Sequence, residues 1–252
     1  MLKEHCEEAA HLLCGARAGP PVHELPPSCR PQSDADAYEI QDAVIRRLGE
    51  TIGGWKVGAR SASSDAFCAP IGMKTIRPSP ASYHARELRL IGIEAEIAFR
   101  LGRDLPARAA AYDRAEVTTG ASLHPVIEVV DSRYADFRSL DRLSILADNF
   151  SNGGLVYGAA VPDWEKLDLG HMRIIVTEDG EPFADSAPGA ARDPVAALVD
   201  FANLMNGRGG AKAGTLVTTG SWTGMAFTKR GTRIIADFGP LGRVEVAFPA
   251  DE

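Results

Sequence analysis

Apolar positions along the chain change their period near residue 87. Before that point Leu2, Cys6, Ala9, Ala10 and Leu13 recur at helical spacing, ended by Gly15 and Gly19. Ser33 stands as an N-cap ahead of Ala37, Ile40, Val44 and Leu48, one face of a second helix that Gly49 stops. Between the two, Pro20, Pro21, Pro26, Pro27 and Pro31 read as an extended connector that hugs the surface. Beyond residue 87 the pattern alternates, and Ile91, Ile93, Ala95, Ile97 and Phe99 fall on one face of a strand. Residues 125–130 and 172–177 read as further strands, and Asp179-Gly180 is a hairpin signal. Asp193-Pro194 caps and opens a helix whose apolar face is Val195, Leu198, Val199, Ala202 and Met205, with Asn206-Gly207 at its end. Residues 215–219, 232–238 and 243–248 close the chain as strands. Strands and helices do not alternate regularly, so the pattern predicts an α+β body with a mixed, curled sheet rather than a doubly wound one.

Composition narrows the function classes. The chain has 252 residues, 45% hydrophobic and 24% charged, which suits a globular body with a sizeable core. A net charge of −7 with no lysine or arginine stripe argues against a phosphate-backbone binder, so no nucleic-acid partner is expected. Cys6, Cys14, Cys29 and Cys68 form no CxxC pair and read as reduced cysteines of a cytoplasmic protein. The acidic N-terminus does not read as a signal peptide, and no apolar run reaches membrane-spanning length, so no membrane association is expected. Nucleophile-elbow, phosphate-loop, dinucleotide and zinc-helix motifs do not occur.

Three carboxylates carry the candidate chemistry. Glu94 and Glu96 project from the same face of one strand, with Cα atoms roughly 6.5–7 Å apart. Gly92 and Ala98 flank them on that face and leave room above it. Two carboxylates aimed into one enclosed space repel, and a hard divalent cation with oxygen ligands resolves the conflict. Glu128 sits mid-strand between Val126 and Val130, where an unpaired charge is costly. The alternative is a salt bridge, for example to Arg133 or Arg138, or a sheet-edge glutamate in water. Lys56, bracketed by Gly53, Gly54 and Gly58, reads either as a lysine with its pKa lowered toward a catalytic range or as one that snorkels or pairs. The turn at 218–224 and the loop at 148–154 offer hydroxyls and backbone N–H groups for a carboxylate, or are tight polar turns. Arg60 and Arg133 are candidate carboxylate clamps, with a surface salt bridge as the default for each. His124 reads as a satisfied loop histidine.

In this order, segments 37–41, 54–58, 93–99 running on to 101–106, 125–128, 131–133, 147–149 and 213–220 resemble the 2-keto-4-pentenoate hydratase branch of the fumarylacetoacetate hydrolase superfamily. The resemblance spans residues 30–248, and the Glu-Ala-Glu strand with Arg103-Asp104-Leu105-Pro106 behind it is its most specific part. It implies an α+β mixed β roll, with residues 1–50 a helical segment packed on a catalytic body of residues 51–252. It implies Mg²⁺ or Mn²⁺ held by Glu94, Glu96 and Glu128, with Lys56 as the acid–base residue. The substrate is then a small 2-oxo or 2-enol carboxylate, with Thr219, Ser221 and Thr223 near its carboxylate and Arg60 and Asp148 as further contacts. A homo-oligomer is also implied. The expected reaction adds water to a 2-hydroxy-2,4-dienoate through a metal-stabilised enolate, giving a 4-hydroxy-2-oxo acid. Decarboxylation of the 4-oxalocrotonate type, carbon–carbon cleavage of an acylpyruvate, and a non-catalytic 2-oxo-acid binder are the alternatives. Two departures from the pattern bear on the pocket: a short loop after Gly58, in which Asp65 is the aspartate at hand, and Trp222 where a smaller residue is usual.

Overall fold

The computed structural model describes residues 1–59, 66–186 and 193–250. Its first helix, α1 (Lys3–Gly15), buries the expected stripe of Cys6, Ala9, Ala10 and Leu13. Helix α2 (Asp34–Leu48) starts where the Ser33 side chain accepts from the Asp36 N–H, and ends at Gly49 in the left-handed conformation. The two helices share a satellite core with Leu25, Cys29, Phe67, Tyr134, Leu146 and Ala147. Gln41 pins them to the body: it is fully buried, and its amide donates to Leu146 O at 2.7 Å and Cys68 O at 3.3 Å. The proline stretch is held more firmly than an extended connector, because Leu25 and Cys29 between its prolines are buried and Val22 bridges to Tyr134.

The strands follow as β1 (Ile52–Ala59), β2 (Ala66–Gly72), β3 (Ile76–Pro78), β4 (Ala81–Ser82) and β5 (Gly92–Arg100). A short helix α3 (Arg114–Thr118) leads to β6 (Ser122–Val130), then α4 (Arg142–Ala147), β7 (Asn152–Tyr157), β8 (Ile175–Glu178) and β9 (Glu181–Asp185). Helix α5 (Pro194–Met205) precedes β10 (Leu216–Ser221), β11 (Ala226–Phe227), β12 (Thr232–Asp237) and β13 (Arg243–Phe248). One eight-stranded sheet runs β2-β1-β10-β5-β6-β7-β3 with β11 beside β5, and a five-stranded sheet runs β4-β13-β12-β8-β9. Both are mixed: β1 with β10, β3 with β7 and β4 with β13 are parallel, and the remaining pairs are antiparallel. The β8–β9 hairpin turns on Asp179 and Gly180, both at positive φ (52° and 92°), as the two-residue turn requires.

Alternation divides the large sheet into two faces. On one, Trp55, Val57, Ile93, Ala95, Ile97, Phe99, Ile127, Val129 and Val217 join the main core, where α5 packs through Leu198, Phe201, Ala202 and Met205. On the other, Ile71, Ala98, Val126, Leu155 and Leu216 form a small, fully buried apolar plug. Lys56, Glu94, Glu96 and Glu128 lie on this second face beside the plug, Glu96 next to Val126 and Glu128 next to Leu155. The four cysteines are free thiols. Among the described residues, no helix is long and apolar enough to cross a membrane.

Candidate metal centre

Strands β5 and β6 pair in unbroken register, which sets Glu94 directly opposite Glu128 and Glu96 opposite Val126. Glu94, Glu96 and Glu128 each present a carboxylate oxygen within 4.8 Å of the others. Glu128 is fully buried, Glu96 is 3% exposed, and Glu94 is partly open toward the mouth. The room above the strand does not come from Gly92 as the sequence suggested. A Cβ there would lie 2.9 Å from the Val130 side chain, so Gly92 makes way for its neighbours instead of leaving space.

Their electrostatics report the crowding. Burial, and then the Glu128 and Glu94 charges, push the Glu96 carboxyl up to about 8. Burial also raises Glu94, to about 7, with the Lys56 ammonium offsetting part of the effect. Of the two readings of Lys56, the structure has the paired one. Burial opposes its charge, but Glu128, with Glu94 and Glu96 behind it, outweighs burial and raises its pKa above the ordinary value. The Lys56 ammonium hydrogen-bonds Glu128 Oε1 and donates to Phe150 O at 3.0 Å, so it is a paired lysine rather than a desolvated base. Gly58, two residues on and on the same face, is required by close approach, because a Cβ there would sit 2.4 Å from the Phe67 ring.

The donor set fits a divalent cation. Fully ionised, three carboxylates and one ammonium would carry an excess of two negative charges in a buried space, which protons on Glu94 and Glu96 relieve. Glu128 Oε2 is buried with no hydrogen-bond partner among the described residues. Oxygen ligands of this kind suit Mg²⁺ or Mn²⁺ better than a soft metal. A pH dependence follows with a definite sign. The folded chain keeps protons on Glu94 and Glu96 that the unfolded chain has already released above about pH 4.5, so these groups lower stability as pH rises toward 8. A cation removes that penalty and binds the deprotonated forms. The rise in melting temperature caused by Mg²⁺ is therefore expected to grow from pH 5.5 to 8, as thermal denaturation at matched ionic strength will measure. A flat or falling response counts against this ligand set.

A second layer holds the centre in place. Asn152 donates from Nδ2 to Glu128 Oε1 at 3.2 Å. The Asn152 carbonyl in turn accepts from Arg133 Nη1 at 2.8 Å. Arg133, read from sequence as a surface residue by default, is 1% exposed. Its Nε reaches one Asp148 oxygen, and the other Asp148 oxygen accepts from the Arg133 N–H at 3.0 Å and Ser132 Oγ at 3.1 Å. Asp148 was a candidate substrate contact. The structure instead uses both of its oxygens to hold Arg133. Breaking this pair leaves a buried carboxylate without its partner, so Arg133→Met is expected to cost about 3 kcal/mol of stability, read from urea denaturation midpoints. Next to Asp148, Asn149, Phe150 and Ser151 all take positive φ (49°, 49° and 56°). Such a run is strained for a residue like phenylalanine, and here it turns the Phe150 carbonyl onto Lys56. The Asn-Phe-Ser string carries too weak a local signal to have shown this.

The turn after β10 acts through its backbone. Gly220 N–H donates to Glu96 Oε2 at 3.0 Å. The hydroxyls expected to meet a substrate are engaged within the protein: Thr219 with Ile97 O at 2.8 Å, Ser221 with Gly224 O at 3.2 Å, and Thr223 between the Ala95 N–H and Gly224 O. Trp222 does not narrow the carboxylate pocket, because its ring belongs to the main core. His124 lies on β6 rather than in a loop, and its ring nitrogens meet Gly158 O at 2.9 Å and Ser122 Oγ at 3.0 Å. Arg60 and Asp65 lie outside the described residues.

No family model matches the chain. Among curated proteins it is 29% identical to a 4-oxalocrotonate decarboxylase of Pseudomonas putida, with 90% of each chain covered. It is 28% identical to a 2-keto-4-pentenoate hydratase of Paraburkholderia xenovorans (strain LB400), covering 100% of this chain and 98% of that one. Among solved structures, the 4-oxalocrotonate decarboxylase from Pseudomonas putida G7, complexed with magnesium and adipate, superposes with a TM-score of 0.85 at 24% identity over 98% of both chains.

Proposed function

We propose that this chain, similar to the 2-keto-4-pentenoate hydratases and 4-oxalocrotonate decarboxylases of the fumarylacetoacetate hydrolase superfamily, is a Mg²⁺- or Mn²⁺-dependent lyase of 2-oxo or 2-enol carboxylates. The observation that carries the reading is the convergence of Glu94, Glu96 and Glu128 beside Lys56 on a face they share with an apolar plug. When bound by these three glutamates, the cation supplies the positive charge that stabilises an enolate at the C2 oxygen of the substrate.

The remaining work falls to the chain. Gly220 N–H and Asn152 Nδ2 fix the orientation of the Glu96 and Glu128 carboxylates. Lys56 holds its proton at Nζ, one hydrogen bond from Glu128 and beside the Phe150 carbonyl, and delivers it to the substrate carbon skeleton. The apolar plug beside the carboxylates keeps that side of the site dry. Hydration of a 2-hydroxy-2,4-dienoate to a 4-hydroxy-2-oxo acid is the first reading. The decarboxylase relative supports a second, loss of CO₂ from a 4-oxalocrotonate-type acid, in which the electron pair of the broken carbon–carbon bond passes to the C2 oxygen and the proton is delivered there.

Purified protein with Mg²⁺, given 2-hydroxypenta-2,4-dienoate and 4-oxalocrotonate in separate assays, distinguishes the readings by product. Formation of 4-hydroxy-2-oxopentanoate is expected for the hydratase, and CO₂ release for the decarboxylase. Turnover of neither, with metal binding intact, would leave a non-catalytic 2-oxo-acid binder.

A further inference from the structure

The sheet register shows what stands beyond the carboxylates. Along this face of β5 the order is Ala98 of the plug, then Glu96, the partly exposed Glu94, and Gly92. Gly92 pairs with Val130 on one side and with Phe227 of β11 on the other. Directly opposed residues in antiparallel pairs share a face, so Phe227 stands on the same side of the sheet as the glutamates, roughly 6.5–7 Å beyond Glu94. A Cβ on Gly92 would lie 3.4 Å from Phe227 Cε1 and 3.5 Å from Met225 Cγ. Gly92 thus makes way for two side chains that wall the mouth. Met225 and Phe227 are 41% and 37% exposed, unusual for large apolar residues so close to a buried charge cluster.

One cation is mounted on this wall. The Arg138 guanidinium lies 4.6 Å from the Phe227 ring centre and 5.7 Å from that of Phe137. Among the described residues it pairs with no carboxylate. Asp136, the nearest acid in sequence, accepts from the Arg138 backbone N–H at 3.3 Å and caps the short turn at Phe137–Ser139. A guanidinium set on aromatic faces keeps its forked donors free and limits its freedom of motion.

We infer that Arg138, mounted on Phe227 at the mouth, is a specificity-determining residue that reads a second carboxylate at the far end of the substrate. The inference rests on the proposed lyase reading for the position of the 2-oxo end among Glu94, Glu96 and Glu128. A substrate so held has its carbon chain turned away from the plug, along Gly92 and Val130 and over Met225 and Phe227. That stretch offers apolar contact to a short hydrocarbon chain, and Arg138 beyond it offers a bidentate partner to a terminal carboxylate. The structure therefore favours 2-oxo-enedioates over dienoates that end in a methyl or vinyl group, whichever bond the enzyme then makes or breaks.

The test combines binding with turnover. In calorimetry with Mg²⁺, wild type is expected to bind 2-oxoadipate more tightly than 2-oxohexanoate, and Arg138→Ala to cut that preference by about 10- to 100-fold. Arg138→Lys should restore part of it, as a charge without the fork. In the product assays, the ratio of kcat/KM for 4-oxalocrotonate over 2-hydroxypenta-2,4-dienoate should fall by a similar factor in Arg138→Ala. Equal affinity of wild type for the two 2-oxo acids, or a preference that survives Arg138→Ala, overturns the role of Arg138. Binding preference without turnover of any substrate overturns the lyase reading and leaves the role of Arg138 standing. Turnover without preference does the reverse.

Discussion

Glu96→Gln is expected to lower kcat/KM by about a thousandfold and Mg²⁺ affinity by about a hundredfold or more, with the fold intact. Glu96 is the most crowded of the three carboxylates: it is buried, faces two like charges, and is raised to about 8. The amide keeps the shape and can still accept the Gly220 N–H, so β10 should hold its place. What the variant loses is the anionic ligand, and with it a reason for a divalent cation to enter. The apo variant should match or exceed the wild type in melting temperature, because one member of a repelling set is gone. Mg²⁺ should then shift that temperature little. Calorimetric titration and thermal melts on the same samples separate these effects, and unchanged metal affinity would remove Glu96 from the ligand set.

Lys56→Met should behave in the opposite way. It is expected to cut kcat by about 10²–10⁴ while leaving Mg²⁺ affinity equal or tighter. The ammonium sits on Glu128 and competes for the oxygen a cation would take. Removing it frees that carboxylate and increases the local negative charge. Methionine roughly preserves the packing against Phe150, whose ring lies 4.9 Å from Nζ. A variant that keeps full activity shows that another group moves the proton. A variant that loses metal binding shows that Lys56 supports the site instead of competing at it. Steady-state kinetics at saturating Mg²⁺, set beside metal titration, distinguish the three outcomes.

These expectations depend on features of unequal visibility in the sequence. The helices announced themselves through stripes and caps, because the Ser33, Gly49 and Asp193 signals act within a turn of the residues they serve. The Asp179-Gly180 hairpin was equally local. The Gly220 N–H and the Phe150 carbonyl were not legible, since any residue supplies such groups and only the backbone path aims them. Arg133 and Asp148 were misjudged for a related reason. Sequence shows a charge but not its burial, and a charge 1% exposed becomes a structural group once a partner 15 residues away closes on it.

The glutamates show where the division falls. A period of two placed Glu94 and Glu96 together, and put Glu128 opposite in face to Ile127 and Val129, because successive side chains of a strand point to opposite sides whatever the strand pairs with. The same rule marked Ile93, Ala95, Ile97 and Phe99 as core, where they are found. That β6 lies beside β5, in the register that sets Glu128 against Glu94, is a long-range choice. A slip of one residue would turn Glu128 into the main core and leave the locally read pattern unchanged. Tertiary structure also carried Lys56 across β10 and β5 to Glu128, raised its pKa, and stood Phe227 with Arg138 beyond Glu94. The sequence alone determined which face each side chain occupies. Which charges share that face depends on strand neighbours far apart in the chain, and only the folded sheet decided it.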